Sequence, residues 1–228
     1  MSGVRVHQNC EMVKIMSDET DRTYGGVGAR ERRGRRRAAL LDAALDLLAE
    51  GGAGAVTKRA VCARARLNDR YFYEHFADRD TLLEALAEDV TSRGIQAVVA
   101  ATLAAGPDID EQIRAAATAS LDFLAADPRR NALLLANSTE VLQRARVSTQ
   151  HAIADAMAAV ARELLITPAP DPRDIDLTAY VLVSGTLELV GAWLRGEFRT
   201  DRAHLVDVIA ALLTAGVTKP QGLQRDSE

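Results

Sequence analysis

Between Thr57 and Arg79 the chain sets Lys58, Arg59, Arg70 and Arg79 beside Tyr73 and His75. Phosphate oxygens need donors of this kind, and Lys58, Tyr73, His75 and Arg79 can each supply one. The amides that open helices at Thr57 and Asp78 would add more. Arg70 has a fork that can take two guanine acceptors at once, whereas Asp69 beside it would tolerate only a donor such as a cytosine amino group. Nothing comparable points to catalysis. The chain has no GxxxxGK[ST], HExxH, GxSxG or SxxK, and His7, His75, His151 and His204 are scattered. Cys10 and Cys62 form no CxxC or disulfide framework. No enzyme, metal site or cofactor is expected.

The charge distribution agrees. The net charge over 228 residues is −4, but Gly28 to Phe76 carries +5 and the rest −9. A basic footprint at one end of an otherwise acidic chain suits a nucleic-acid partner. The most apolar stretch, Ala179 to Val190, is interrupted by Ser184, Gly185, Thr186 and Glu188. It falls short of the roughly 18 unbroken apolar residues of a membrane span, so no membrane is expected. A reducing cytoplasm is the expected location.

The donors need short helices to hold them. Thr57 can cap a helix over Lys58 to Ala65 and Asn68 another from Asp69 to about Phe76, because each side chain accepts a bond from an orphan amide. Arg66 and Leu67 alone separate the two helices. Before them, a stripe of Leu40, Leu41, Ala44, Leu45, Leu47 and Leu48 reads as a helix closed by Gly51-Gly52. The arginine run from Arg30 to Arg37 reads either as its solvated start or as a flexible arm touching phosphate or the minor groove. Asp78 caps a long helix to about Ala104, stopped by Gly106-Pro107. Asp108 with Glu111, Asp127-Pro128, Asp171-Pro172 and Thr200 then open further helices. With no strand-period segment, the chain is expected to be all-α with about nine helices. The expected organisation is a disordered extension over 1–29, a helix-turn-helix domain over 30–77, a larger helical effector-binding and dimerisation domain over 78–217, and a disordered tail over 218–228.

Two short helices joined by a tight turn, the second with a small polar cap, form the helix-turn-helix pattern. The run from Thr57 to Leu83 closely resembles the TetR family of bacterial transcriptional regulators. The family's threonine cap, Ile-Ala pair, Ala-Gly-Val-Ser turn, Leu-Tyr-x-x-Phe and Lys-Glu-x-Leu are matched without gaps. Thr57, Val61-Cys62, Ala65 to Asn68, Phe72 to Phe76, and Arg79 to Leu82 carry the match. The resemblance implies DNA contacts from Thr57, Lys58, Arg59, Asn68, Asp69, Arg70, Tyr71, Tyr73, His75 and Arg79, with Arg59, Arg70 and Tyr71 at base-reading positions. Val61, Leu67, Phe72 and Phe76 read as core, and Cys62 stands where the family has a small core alanine. Two residues depart from the pattern. Arg66 replaces the turn glycine, and positive φ there would cost about 1 kcal/mol. Tyr71 replaces a small residue near the bases.

For the second domain the resemblance is architectural. Leu182, Leu189 and Trp193 on one helix, and Leu205, Ile209 and Leu212 on the last, are expected to face a two-fold partner, because both helices are apolar all round. Leu134, Val141, Met157 and Ser184 are expected to line an effector site in which Asn137 or Glu188 orients one polar group. An internal hydrogen bond or interface salt bridge is the alternative for those two. The sequence thus points to a homodimeric repressor, released from a palindromic operator by a small, largely apolar effector. The alternative is a helical interaction module, or an architectural DNA binder with no effector.

Overall fold

The computed structural model describes residues 8–135, 139–164 and 171–218, with side chains over 28–135, 139–163 and 171–216. Among these residues it contains nine α-helices and no strand. Helix α1 (Gln8–Ala55) is interrupted at Gly51-Gly52, where Gly52 has φ 67°. The sequence reading left residues 1–29 disordered, yet residues 8–29 are helical and continuous with the helix that carries the arginine run. No proline intervenes to stop it.

Local chemistry sets the next elements. The Thr57 hydroxyl accepts from the Ala60 amide at 3.2 Å and opens α2 (Lys58–Ala65). Asn68 accepts from Tyr71 at 3.2 Å and opens α3 (Asp69–Tyr73), which is one turn shorter than expected. Between them Arg66 adopts φ 54°, ψ 39°, the left-handed conformation that the family's glycine would take without strain. Its amide donates back to the Ala63 carbonyl at 3.2 Å, and the Leu67 amide to that of Cys62 at 2.9 Å. The turn closes despite the side chain. Asp78, accepting from both the amide and the hydroxyl of Thr81 at 2.8 Å, opens α4 (Arg79–Ala104).

Leu40, Ala44, Leu45 and Leu48 of α1, Val61 of α2, and Phe72 and Phe76 at α3 pack with Leu82, Leu83 and Leu86 of α4 into one core. Each fully buried large side chain contributes about 1.5–3 kcal/mol. The first turns of α4 therefore belong to the basic head, while its remainder belongs to the larger domain.

That domain comprises α5 (Ile109–Ala126), a 3₁₀ turn (Pro128–Arg130), α6 (Asn131–Leu135), α7 (Glu140–Leu164), α8 (Pro172–Leu194) and α9 (Arg202–Thr218). Helix α4 lies on α5 and α7, α7 on α8, and α5 on α9. Ile113, Ala117 and Leu121 of α5 meet Val190 of α8 and Leu205, Val206 and Ile209 of α9 in a second core. Ala154 and Ala158 of α7 meet Ala179 and Val183 of α8 in a third. Helix α8 is, by length and composition, apolar enough to cross a membrane, because scattered small polar residues lower its mean hydropathy less than an unbroken-run criterion assumes. Its contacts with α6, α7 and α9 account for part of that apolarity, and Leu177 and Val181 stay exposed. Of the expected tail, only Thr218 lies among the described residues, as the end of α9.

Replacing Arg66 with Gly should raise stability by up to about 1 kcal/mol, since it removes the left-handed strain of an exposed residue. Thermal unfolding should show a rise in Tm of about 2–4 °C. An unchanged or lower Tm would mean that the turn carries no such strain.

Candidate nucleic-acid interface and ligand cavity

The short α3 projects a polar surface away from its buried Phe72. Arg59 and Arg70 are exposed, Arg70 at 84% with only a 3.4 Å pair to Glu74. Tyr73 is exposed, with its ring edge-on to Phe72. Lys58 lies between two neighbours: its ammonium is 2.6 Å from Asp69 and donates to the Tyr73 hydroxyl at 3.3 Å. Those partners, Asp69 first, raise the Lys58 pKa. Thr57 and Asn68 spend their side-chain oxygens on caps. Tyr71 is half-buried beneath the Arg36 guanidinium, 4.5 Å from the ring centre.

The arginine run is helical and packed along this edge. Arg33 donates to the Glu74 carbonyl at 3.2 Å, Arg36 sits 3.5 Å from the Glu74 carboxylate, and Arg37 lies over Phe76. Burial pushes the His75 pKa down, and Arg33, Arg36 and Arg37 add to that. Glu74 opposes it, and Nε2 is buried without a partner. Arg79 departs from its expected role. Its guanidinium turns inward and donates to the Ala53 carbonyl at 2.5 Å, bracing the end of α1, with Nε buried.

Below the head, α4, α5, α7 and α8 enclose a cavity of about 320 Å³. Its walls are mostly aliphatic, and Thr91 and Thr149 bond each other across it at 2.9 Å. Of the residues expected at an effector site, Leu134 and Met157 line it. Val141 instead packs into the core that the head shares with α4, and the Ser184 hydroxyl is buried without a partner away from the lining. Glu188, expected to orient a ligand, points outward and pairs with Arg146 and Arg195, which lower its pKa. Its long side chain carries the carboxylate past the apolar stripe to solvent. Asn137 lies outside the described residues.

The sequence reading missed two arginines of the 3₁₀ turn. Arg129 reaches α1, pairing with Asp42 at 3.1 Å and Asp46 at 2.5 Å while it also holds Asp127 at 2.8 Å. Asp46 in turn pairs with Arg64 of α2 at 3.2 Å. Arg130 turns the other way, to the cavity lining, with its guanidinium 4.0 Å over the Phe123 ring. Asp127-Pro128 signalled only a helix start, and neither arginine's direction is legible without the tertiary neighbours.

The expected partner face needs correction. Leu205 and Ile209 are fully buried in the protomer's own core, where they meet α5. Leu189 packs on that core, and so does Trp193, whose indole donates to the Thr200 carbonyl at 3.0 Å. Leu182 turns toward Gly216 of α9. Leu212 is exposed, and the outward face of α8 is instead Leu177 and Val181, each 67% exposed. A helix that is apolar all round gives a wheel no way to choose between these faces.

Residues 40–86 match the family model described as bacterial regulatory proteins, tetR family, so the head is similar to the amino-terminal domain of that family. No curated protein matches the chain by sequence. Several solved structures share the whole fold. The fatty acid degradation regulator FadR from Bacillus halodurans has 17% identity and TM-score 0.60, with 80% of this chain and 98% of that one covered. The regulator FadR from Bacillus subtilis, in complex with stearoyl-CoA, has 19% identity and TM-score 0.63 over 78% and 98%. A transcriptional regulator from Pseudomonas aeruginosa PAO1 has 22% identity and TM-score 0.63 over 82% and 92%. The chain thus has the all-helical fold of TetR-family regulators.

The His75 environment gives a pH dependence. Its folded pKa lies below the unfolded value of about 6.5, so between the two the unfolded chain holds a proton that the folded chain does not. Stability should fall as the pH drops through that window and be fully present above it. Urea unfolding near pH 5.5 and 7.5 should show a smaller difference for His75→Asn than for the native chain. An equal difference would place the pH sensitivity elsewhere.

Proposed function

We propose that the chain is a sequence-specific, DNA-binding transcriptional regulator, a homodimeric repressor that leaves a palindromic operator when a small, largely apolar ligand fills the cavity. The observation that carries this reading is that one helix serves both ends. Leu82, Leu83 and Leu86 of α4 are buried in the reading head, while Val90, Gly94, Ile95 and Val98 of the same helix line the cavity. A ligand that favours one position of α4 thereby favours one position of the head, and its unequal affinity for the two states shifts the population. Arg59, Arg70 and Tyr71 read bases, and Lys58, Tyr73 and His75 hold phosphates. Arg79 supports the interface by bracing α1. A cytoplasmic location goes with this partner. An interaction module without an effector would leave the cavity without a use.

The dimer forms through the outward faces of α8 and α9, where Leu177, Val181 and Leu212 leave apolar area that a two-fold copy covers. The ligand's apolar character follows from the cavity walls. The Bacillus subtilis FadR, which shares the fold, holds stearoyl-CoA, a molecule with a long aliphatic chain.

Selection of bound sequences from a random DNA pool should return one palindromic site. If the dimer makes about 6–10 phosphate contacts, its affinity should fall by about 10³- to 10⁵-fold between about 50 and 200 mM salt. Arg70→Ala should cost about 1–3 kcal/mol at one base position and leave the others readable. Salt-insensitive or sequence-blind binding would overturn the reading.

A separate measurement checks the interface. Val181→Glu and Leu212→Glu should each convert dimer to monomer in light scattering with native helicity, because each would place an unpaired charge in an apolar contact. Trp193→Glu should instead lose helicity, because that ring is packed within the protomer. Native dimers from both exposed-face variants would refute the proposed interface.

A further inference from the structure

The polar end of the cavity is Arg130. Its side chain is only 15% exposed, one guanidinium nitrogen donates to the Phe123 carbonyl, and Nε is buried with no hydrogen bond. The nearest carboxylate, Asp127, lies 3.8 Å away and is already committed to Arg129, accepting from its amide at 3.2 Å, its Nε at 2.9 Å and its Nη2 at 2.8 Å. A nearly buried cation whose counter-ion is engaged elsewhere leaves a place for an anion, since such a charge is costly until it is paired and hydrogen-bonded. The other cation of the lining, Arg146, is held by Glu188. The rest of the lining is mainly aliphatic, with Ile95, Val98, Leu121, Leu134, Met157 and Val190 among its residues. Among the described residues the lining has one aromatic ring, Phe123, and Arg130 itself covers a face of it, which leaves a planar ligand little on which to stack. A flexible aliphatic chain fits these walls.

We propose that Arg130 binds the carboxylate of a ligand whose body is an aliphatic chain, and that the 3₁₀ turn Pro128–Arg130 passes this contact to the reading head through Arg129. The inference rests on the reading of this cavity as the effector site. Two routes lead from Arg130 to the head. Arg129, the next residue, grips Asp42 and Asp46 of α1, and Asp46 also holds Arg64 of α2. The Phe123 ring under Arg130 lies against Gly94 of α4, where an added Cβ would sit 3.2 Å from it. An anion that draws the Arg130 guanidinium off Phe123 therefore shifts a turn and a ring that touch α1 and α4 together.

The test is calorimetric titration of the full-length protein with dodecanoate and dodecanol, and with hexadecanoate and hexadecanol, followed by operator binding with each ligand present. The native protein should bind the carboxylate at least about tenfold more tightly than the matched alcohol, a difference of about 1.4 kcal/mol. Arg130→Gln should erase that advantage and leave the alcohol's affinity within about twofold. Arg129→Gln should keep carboxylate binding but lose most of the ligand's effect on DNA. Equal affinity of the native protein for carboxylate and alcohol overturns the assignment of Arg130 without any variant, and leaves the cavity reading standing. A carboxylate preference that survives in Arg130→Gln overturns it as well. Undiminished release of DNA by ligand in Arg129→Gln overturns the transmission through the turn. No binding of any of the four compounds overturns the effector-site reading together with this inference.

Discussion

Helix α4 has to satisfy two cores at once, and the rest of the architecture follows from that requirement. Its 26 residues span roughly 39 Å at 1.5 Å per residue. At one end Leu82, Leu83 and Leu86 are fully buried against α1 and the ring of Phe72. Further along, Val90 to Thr102 form a wall of the cavity. Extracting any one of the head's leucines would forfeit about 1.5–3 kcal/mol, so the helix cannot slide past the head as the cavity changes shape. Displacement at the cavity end must instead be taken up by moving the head as a body. The Asp78 cap, with its carboxylate held ionised by the Thr81 amide and hydroxyl, fixes where that rod begins.

A second set of contacts between head and body is polar. Arg129 gathers Asp42, Asp46 and Asp127, and Arg64 gathers Asp46 and Glu50. Arg129 chiefly holds the Asp46 and Asp127 carboxyls below their usual range, so the stability these pairs add is fully present above the unfolded pKa of about 3.9 and is lost as the pH falls from there through the lower folded values. Exposed or half-exposed pairs of this kind are worth about 0–1 kcal/mol each. That modest value suits the proposed switch, in which such a contact would open and close. The leucine core supplies permanence, and the ion pairs would supply a bias small enough for a ligand to override.

The residues most legible in the sequence are those whose roles are local. Thr57, Asn68, Asp78, Asp108 and Asp171 cap the helices they were expected to cap, because a cap needs only an amide two or three residues away. Arg66 takes the left-handed turn that closes α2, with its own amide and that of Leu67 bonded back to the Ala63 and Cys62 carbonyls. What stayed hidden depends on distant partners. Arg79 reads as a phosphate donor until the Ala53 carbonyl, 26 positions earlier in the chain, is brought beside it. Glu188 reads as buried by its wheel position, but its length takes it to Arg146 and Arg195. Leu205 and Ile209 look equivalent to Leu212 because α9 is apolar on every side, and only the approach of α5 decides which of them turns inward.

The polar face of the head is pre-paired, and this bears on selectivity. Lys58 is held by Asp69 and Tyr73, Arg36 by Glu74 and the face of Tyr71, and Arg70 leans toward Glu74. Any phosphate or base that engages these side chains must first displace an internal partner, and Asp69 and Glu74 repel phosphates that arrive without doing so. Non-specific attraction to a polyanion is thereby reduced, because part of the basic charge is already neutralised within the head. A site that offers all the right acceptors in register offsets the exchange, whereas a partial match does not. In the proposed complex, Asp69 and Glu74 at α3 would act as a filter that makes binding sensitive to small displacements of the head. A shift that removed one or two contacts would leave both carboxylates facing phosphate again, so under this reading a modest movement of α4 would favour the DNA-free state.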